Sequence, residues 1–308
     1  MKSPLFYAKI LLFGEYGIIK DSKGLAIPYN SFNGSLLKSE QLTNNQKQSN
    51  LHLKSFFDYL KKIDSDLVQF RFEEFEKDLK EGMYFDSSIP QGYGIGSSGA
   101  LVAAIYDKYA YDKITVLENL TRDKLLKLKT IFGAMESYFH GTSSGLDPLN
   151  SYLSIPILIN SKTDLEATGI PSQKEGSGAV FLIDSEQVGE TAPMVQIFME
   201  KMKNEGFRNM LKEEFAKYTD ASIHDFLKGD IHSLLNNVRE LSNVALRNFK
   251  PMIPLKIQGI WQQGLESNDY YLKLCGSGGG GYFLGFTQDY EKTKALLNNY
   301  KLELVYRF

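Results

Sequence analysis

A single cysteine, Cys275, stands in the 308 residues, which excludes an intramolecular disulfide and any zinc site built from cysteines. It reads as a small buried hydrophobe. Charge of one sign is lacking too: a formal net charge of -2 leaves no electrostatic footprint for nucleic acid. No apolar run reaches membrane length. The opening run, Ile10 to Phe13, is broken by Gly14 and Glu15 and is too short for the core of a secretion signal. The expectation is a cytoplasmic protein with a small-molecule substrate, and neither nucleic acid nor a membrane as partner. Internal repeats of solenoid period are missing, as is the Gly-Lys-Ser/Thr of a Walker A loop.

What is present is an ordinary globular balance, 43% hydrophobic and 23% charged, enough to give one large or two medium domains their own cores. Phe6 to Phe13 reads as a buried strand interrupted only by Lys9. Ser39 to Asn50 reads as a loop, Leu51 to Ile63 as an amphipathic helix, and Gly82 to Ile89 as a strand. In Thr121 to Phe139, Leu125, Leu128, Phe132, Met135 and Phe139 share one helical face. Ser151 to Leu158 is β-like, with Pro156 marking a strand end or edge. Ser161 to Gly178 is polar and without period, a candidate linker. Beyond it the pattern predicts a strand at Ala179 to Ile183 and helices near 191–204, 206–228, 230–249 and 253–268. Strands at Tyr270 to Leu274, Tyr282 to Phe286 and Leu302 to Tyr306 follow, with a short helix before the last. That order predicts an α+β protein with antiparallel pairs.

The residues that carry chemistry begin with Pro90-Gln91-Gly92-Tyr93-Gly94-Ile95-Gly96-Ser97-Ser98-Gly99-Ala100. A helix starting near Ser97 or Ser98 would leave its first amides free to face an anion, and glycine allows close approach. The other reading is a tight structural turn. Downstream, Glu136 and Asp147 flank the turn His140-Gly141-Thr142-Ser143-Ser144-Gly145. Paired carboxylates suit magnesium-dependent phosphoryl transfer, which needs oxygen ligands and a group to orient the accepting hydroxyl. The alternatives are a turn-capping aspartate and a solvated helix glutamate, with His140 capping or packing the helix end. Lys9, in an apolar strand, must either reach water at an edge or meet a carboxylate, for which Asp147 is the candidate. The run Gly276-Ser277-Gly278-Gly279-Gly280-Gly281 reads, taken singly, as a flexible turn.

In this order the segments resemble the GHMP kinases (galactose, homoserine, mevalonate and phosphomevalonate kinases) along the whole chain. Lys9 to Tyr16 looks like the family's first motif, Pro90 to Ala100 like its phosphate loop, and Lys273 to Gly281 like its C-terminal glycine motif. Glu136, His140-Gly141 and Ser144-Gly145-Leu146-Asp147 are similar to the mevalonate kinase pattern Glu-x3-His-Gly-x2-Ser-Gly-Val-Asp. The resemblance implies a two-domain α+β fold, a ribosomal-protein-S5-like domain over 1–165 and a ferredoxin-like domain over 175–308, with the active site between them. It implies ATP and Mg2+ as cofactors and phosphorylation of the mevalonate hydroxyl. Asp147 would be the catalytic base and Lys9 its partner, with Ser98 and Glu136 as magnesium ligands. Gly92, Gly94, Gly96, Ser97, Ser98 and Gly99 would hold the ATP phosphates, and Glu15, Tyr16, Thr191, Gly278 and Gly279 would lie against substrate. Two departures stand out: Tyr7-Ala8-Lys9 replaces the family's Pro-Gly-Lys, and Tyr16 replaces the His usual in mevalonate kinases. Other members of the fold remain open as alternatives: a phosphomevalonate kinase, a diphosphomevalonate decarboxylase, or an inactive ATP-binding homologue. Leu and Phe side chains on the C-terminal helices would offer a homodimer surface.

Overall fold

A computed structural model describes residues 3–20, 22–115, 119–173 and 175–308. The chain divides into two compact units. One comprises Met1–Lys9, Ile27–Pro90 and Gly96–Ile155; the other comprises Ile10–Ala26, Gln91–Ile95 and Pro156–Phe308. The division expected at 165–175 is linear, whereas these units exchange the chain several times. Strands β1 (Phe6–Phe13) and β2 (Gly24–Lys38) each contribute residues to both.

In the first unit, helix α1 (Asn44–Leu60) starts inside the stretch expected to be a loop. The missed signal is local: Thr43 accepts from the Gln46 amide, and the Gln46 side chain accepts from the Thr43 amide, a capping box. Asn50, also expected in that loop, is buried and donates to the carbonyls of Leu79 and Met83. Helix α2 (Phe72–Lys80) places Phe75 edge-on to Phe57 and stacked on Tyr109 at 4.2 Å. Strand β3 (Met83–Ser87) pairs antiparallel with β2 from Gly34↔Ser87 to Lys38↔Met83. Helix α3 (Ser97–Tyr109) is buried along Ala100, Val102, Ala103, Ala104 and Ile105. Helix α4 (Arg122–His140), capped by Thr121, buries Leu125, Leu128, Phe132 and Met135 as expected, while Phe139 is exposed.

Helix α5 (Leu146–Leu153) occupies ground expected to be β-like. Its Pro148 lies in the first turn, where proline is tolerated, and Ser154 at φ 53° ends it. The strand begins only after Pro156, as β4 (Ile157–Ser161).

The second unit holds β4 and β5 (Asp164–Ala167), an antiparallel hairpin whose second strand lies within the segment expected to be a linker; Lys174 of that segment lies outside the described residues. The first sheet runs β1-β2-β4-β5, with β3 also paired to β2. Next come β6 (Ala179–Asp184), α6 (Thr191–Lys201), α7 (Glu205–Met210), α8 (Ala216–Lys228), α9 (Ile231–Asn248) and α10 (Leu255–Ser267). A π-helical turn, Leu211–Phe215, joins α7 to α8. The chain closes with β7 (Tyr270–Leu274), β8 (Tyr282–Thr287), α11 (Tyr290–Leu296) and β9 (Leu302–Arg307). The second sheet has the order β7-β8-β6-β9, antiparallel throughout. That is the strand-helix-strand-strand-helix-strand arrangement of a ferredoxin-like domain. Its core is anchored by Trp261, fully buried, whose indole N–H donates to Ser242 Oγ at 2.8 Å. No helix of the described residues is long and apolar enough to cross a membrane.

Candidate active site

Gly96, at φ 80°, stands immediately before α3. A Cβ there would lie 3.0 Å from Lys9 Cγ and 3.6 Å from Asp147 Oδ2, and one on Gly99 would lie 2.7 Å from the Asp147 carbonyl carbon. These two glycines therefore let Lys9 on β1 and Asp147 on α5 close against the first turn of α3. Lys9 is 4% exposed, and its Nζ lies 2.9 Å from Asp147 Oδ1. The lysine that interrupts an apolar strand is thus buried with a carboxylate. Asp147, by contrast, keeps 37% of its side chain accessible. Ser151, one turn further along α5, donates to the Tyr7 carbonyl at 2.6 Å and ties α5 to the strand carrying Lys9.

Glu136, for which a solvated helix position was one reading, is 3% exposed. Its Oε1 accepts from Ser98 Oγ at 2.9 Å and its Oε2 from Ser143 Oγ at 2.5 Å. Burial pushes its pKa up to about 7, with the Asp147 charge adding; the two serine hydroxyls and Lys9 pull the other way. The turn that brings Ser143 round depends on Gly145 at φ 72°, where a Cβ would fall 2.1 Å from the Lys129 carbonyl oxygen. His140 Nε2 lies 3.1 Å from Ser98 Oγ. It sits beside the start of α3 rather than serving only its own helix end. The signal was its spacing of four from Glu136, which puts both on one helix face. Nothing in the sequence pointed to Ser143, because its contact depends on the path of the turn.

The donor set fits magnesium: a serine hydroxyl and a carboxylate are hard oxygen donors, and magnesium characteristically takes one or two protein ligands together with substrate phosphates. A buried carboxylate with a raised pKa is also one that a cation would relieve. Among the described residues no group of three or more His, Cys, Asp or Glu could hold a metal by itself, so a site here would be completed by substrate.

The other expected residues gather in the second unit. Gly92 accepts from the Gly189 amide at 2.9 Å. A Cβ on Gly94 would meet the Cys275 carbonyl oxygen at 2.4 Å, and one on Gly281 would meet Tyr93 Cα at 2.5 Å. The C-terminal glycine run is therefore not a flexible turn. Its glycines are there because backbone lies against backbone. Glu15 is 4% exposed and pairs with Lys273 Nζ at 2.5 Å, so its carboxylate is enclosed. Tyr16 is buried, and its phenol donates to the Ser277 carbonyl at 2.7 Å. Thr191 opens α6 and accepts from Ser277 Oγ at 3.3 Å. Gly278 and Gly279 have φ of 76° and 81°. Lys273 carries the same sequence signal as Lys9, a lone cation in an apolar strand.

Residues 58–154 match the family model of the GHMP kinases N terminal domain. Among solved structures, L. major mevalonate kinase in complex with R-mevalonate is similar at 17% identity and a TM-score of 0.63, over 97% of this chain and 90% of that one. Streptococcus pneumoniae phosphomevalonate kinase is similar at 14% identity and a TM-score of 0.62, over 99% and 100%. Lactococcus lactis galactokinase is similar at 12% identity and a TM-score of 0.57, over 98% and 92%. A comparison with curated protein sequences returns no match. The chain thus has the GHMP kinase fold and carries, at residues 58–154, the N-terminal domain of that family.

Proposed function

We propose that the chain is an ATP-dependent kinase that transfers the γ-phosphoryl group to the hydroxyl of a small molecule, with mevalonate as the acceptor. GHMP kinases are ATP-dependent phosphotransferases, and one observation supports the reading most. Lys9 and Asp147 form an ion pair at the first turn of α3 in which only the carboxylate is accessible. Asp147 would accept the proton of the acceptor hydroxyl, and Lys9 would favour the developing alkoxide. The first amides of α3, at Ser97, Ser98 and Gly99, would face phosphate oxygens. Ser98 and Glu136 would hold magnesium, which when bound supplies charge neutralisation between phosphate oxygens. Positioning and electrostatics would then provide most of the acceleration.

The mevalonate assignment is supported by the Glu136, His140-Gly141 and Ser144-Gly145-Leu146-Asp147 pattern. A second reading, the same chemistry on another alcohol, is favoured by Tyr16, which presents no imidazole where mevalonate kinases have one. A coupled ADP-release assay with magnesium and ATP against mevalonate, phosphomevalonate, homoserine and galactose tests both. Turnover on mevalonate is the expected result. Turnover on another acceptor overturns the substrate, and none on any acceptor overturns the kinase.

A further inference from the structure

Two hydroxyls cap the buried Glu136 carboxylate, and they are not equivalent. Ser98 Oγ donates to Oε1 at 2.9 Å but also lies 3.1 Å from His140 Nε2, so a second partner is within its reach. Ser143 Oγ donates to Oε2 and is held more firmly. It already accepts from the Gly145 amide at 3.0 Å, while the Ser143 amide donates to Ser137 Oγ at 3.2 Å. Ser137, next to Glu136 on α4, donates in turn to the Gly133 carbonyl at 2.7 Å. Ser143 is thus pinned through its backbone and its side chain, which directs its hydroxyl proton at Glu136.

The backbone keeps this turn in place. Gly133 lies inside α4, where glycine weakens a helix. A Cβ there would lie 3.1 Å from the Ser143 carbonyl oxygen, tighter than ordinary contact, and 3.6 Å from the Gly145 nitrogen. The helix gives up a side chain at the point where the turn lies against it. Gly145 ends the turn and opens α5, whose first turn carries Asp147. One hydroxyl therefore joins the Glu136 carboxylate to the peptide that starts the helix of the proposed base.

This arrangement limits how many oxygens Glu136 can offer a cation. Magnesium demands near-ideal octahedral geometry, whereas calcium takes carboxylates through one oxygen or two. With Oε2 held by Ser143, the oxygen left is Oε1, on the side of Ser98. We propose that Ser143 is a positioning residue: by occupying Oε2 it makes Glu136 a one-oxygen donor and so selects magnesium over calcium. The inference rests on the kinase reading, which places the cation at Ser98 and Glu136. Ser143 acts through Glu136 and is not itself a ligand.

The test is calorimetric titration of the full chain with a non-hydrolysable ATP analogue, in magnesium and in calcium. The wild type is expected to bind the magnesium complex more tightly. Ser143→Ala frees Oε2 and should weaken magnesium-dependent binding about 10- to 100-fold, the scale for losing a partner of a metal ligand, while calcium-dependent binding changes little. Ser143→Thr keeps the hydroxyl and should restore the magnesium preference. An unchanged preference in Ser143→Ala, or equal losses with both metals as a loosened turn would give, overturns the proposal. So does a Ser143→Thr variant that matches Ser143→Ala. A crystal structure of the wild type with the analogue and magnesium decides the matter even if Ser143→Ala does not fold. Glu136 bound through one oxygen, with Ser143 on the other, is expected there; any other arrangement overturns the proposal, as does a wild type with no metal-dependent binding of the analogue. Failure of ADP release on every acceptor, with metal-dependent binding and its Ser143 dependence intact, would remove the kinase reading alone.

Discussion

Two lysines interrupt apolar strands in this chain, and the structure treats them differently. Lys9 on β1 and Lys273 on β7 are both buried, at 4% and 3% exposure, and each meets a carboxylate. Asp147, the partner of Lys9, has 37% of its side chain accessible, whereas Glu15, the partner of Lys273, has 3%. Lys273 has further partners: it donates to the Leu274 carbonyl at 2.8 Å and lies 5.8 Å from the centre of the Phe13 ring. One pair is buried at both of its members. The other is closed behind the lysine and open at the acid, the arrangement expected where a carboxylate must exchange a proton with something that comes and goes.

Breaking each pair from one side should separate them. Glu15→Gln leaves Lys273 buried and unpaired, and should lower unfolding stability by roughly 3 to 5 kcal/mol in a urea titration. Adding Lys273→Met should restore much of that loss, since the remaining cost is one of packing. Lys9→Met should cost less stability than Glu15→Gln, because the acid left behind can be hydrated. An equal loss would erase the distinction drawn between the two pairs. On the activity side, Asp147→Ala should remove about 10²-fold or more of turnover while leaving the fold intact. Near-normal turnover would show that the accessible carboxylate is not the base.

A third charged cluster sharpens the comparison through pH. Asp78 in α2 meets Lys38, Lys108 and the Tyr109 hydroxyl. Burial would raise its pKa, but hydrogen bonds from Lys108, Lys38 and Tyr109 outweigh that and hold it at about 2. Because the folded value lies below the unfolded one, the group's stabilisation is present above about pH 4 and is lost as pH falls toward 2. The wild type should lose of order 1 to 2 kcal/mol more than Asp78→Asn across that window, a figure reduced because solvent reaches both lysines. Identical acid profiles would show that this network contributes nothing. The smallest effect is expected at a helix end: Thr43→Ala should cost about 1 kcal/mol, read as a shift in urea midpoint, by removing one side of the α1 capping box.

Much of the fold was legible locally. Phe6–Phe13, Ala179–Asp184 and the helices after Thr191 follow directly from runs and periods of apolar residues. The misreadings have local causes as well. Asn44 to Asn50 is polar enough to pass for a loop, yet Thr43 and Gln46 close a cap over it. Ser151 to Leu158 joins the end of one helix to the start of a strand, so its mixed character averaged to β. Asp164 to Ala167 is too short and polar to stand out from its surroundings, and only pairing with Ile157–Ser161 makes it a strand. At the site, the residue types were visible but their burial was not. Glu136 looks like any helix glutamate until Ser98 and Ser143 enclose it.

The sequence by itself determined where the strands and helices of this chain lie in outline, which residues could carry phosphoryl-transfer chemistry, and that Lys9, in an apolar strand, would reach water at an edge or meet a carboxylate. Those properties depend on side-chain chemistry and on spacings of a few residues, which act before the chain has folded. Only the tertiary structure decided which carboxylate each lysine meets and which pair stays open to solvent. It also decided that the final glycines are packed against the glycine-rich loop before α3, and that the Tyr16 phenol bonds a carbonyl 261 positions away. Burial and partner choice are properties of chains brought together from distant positions, and no local period encodes them.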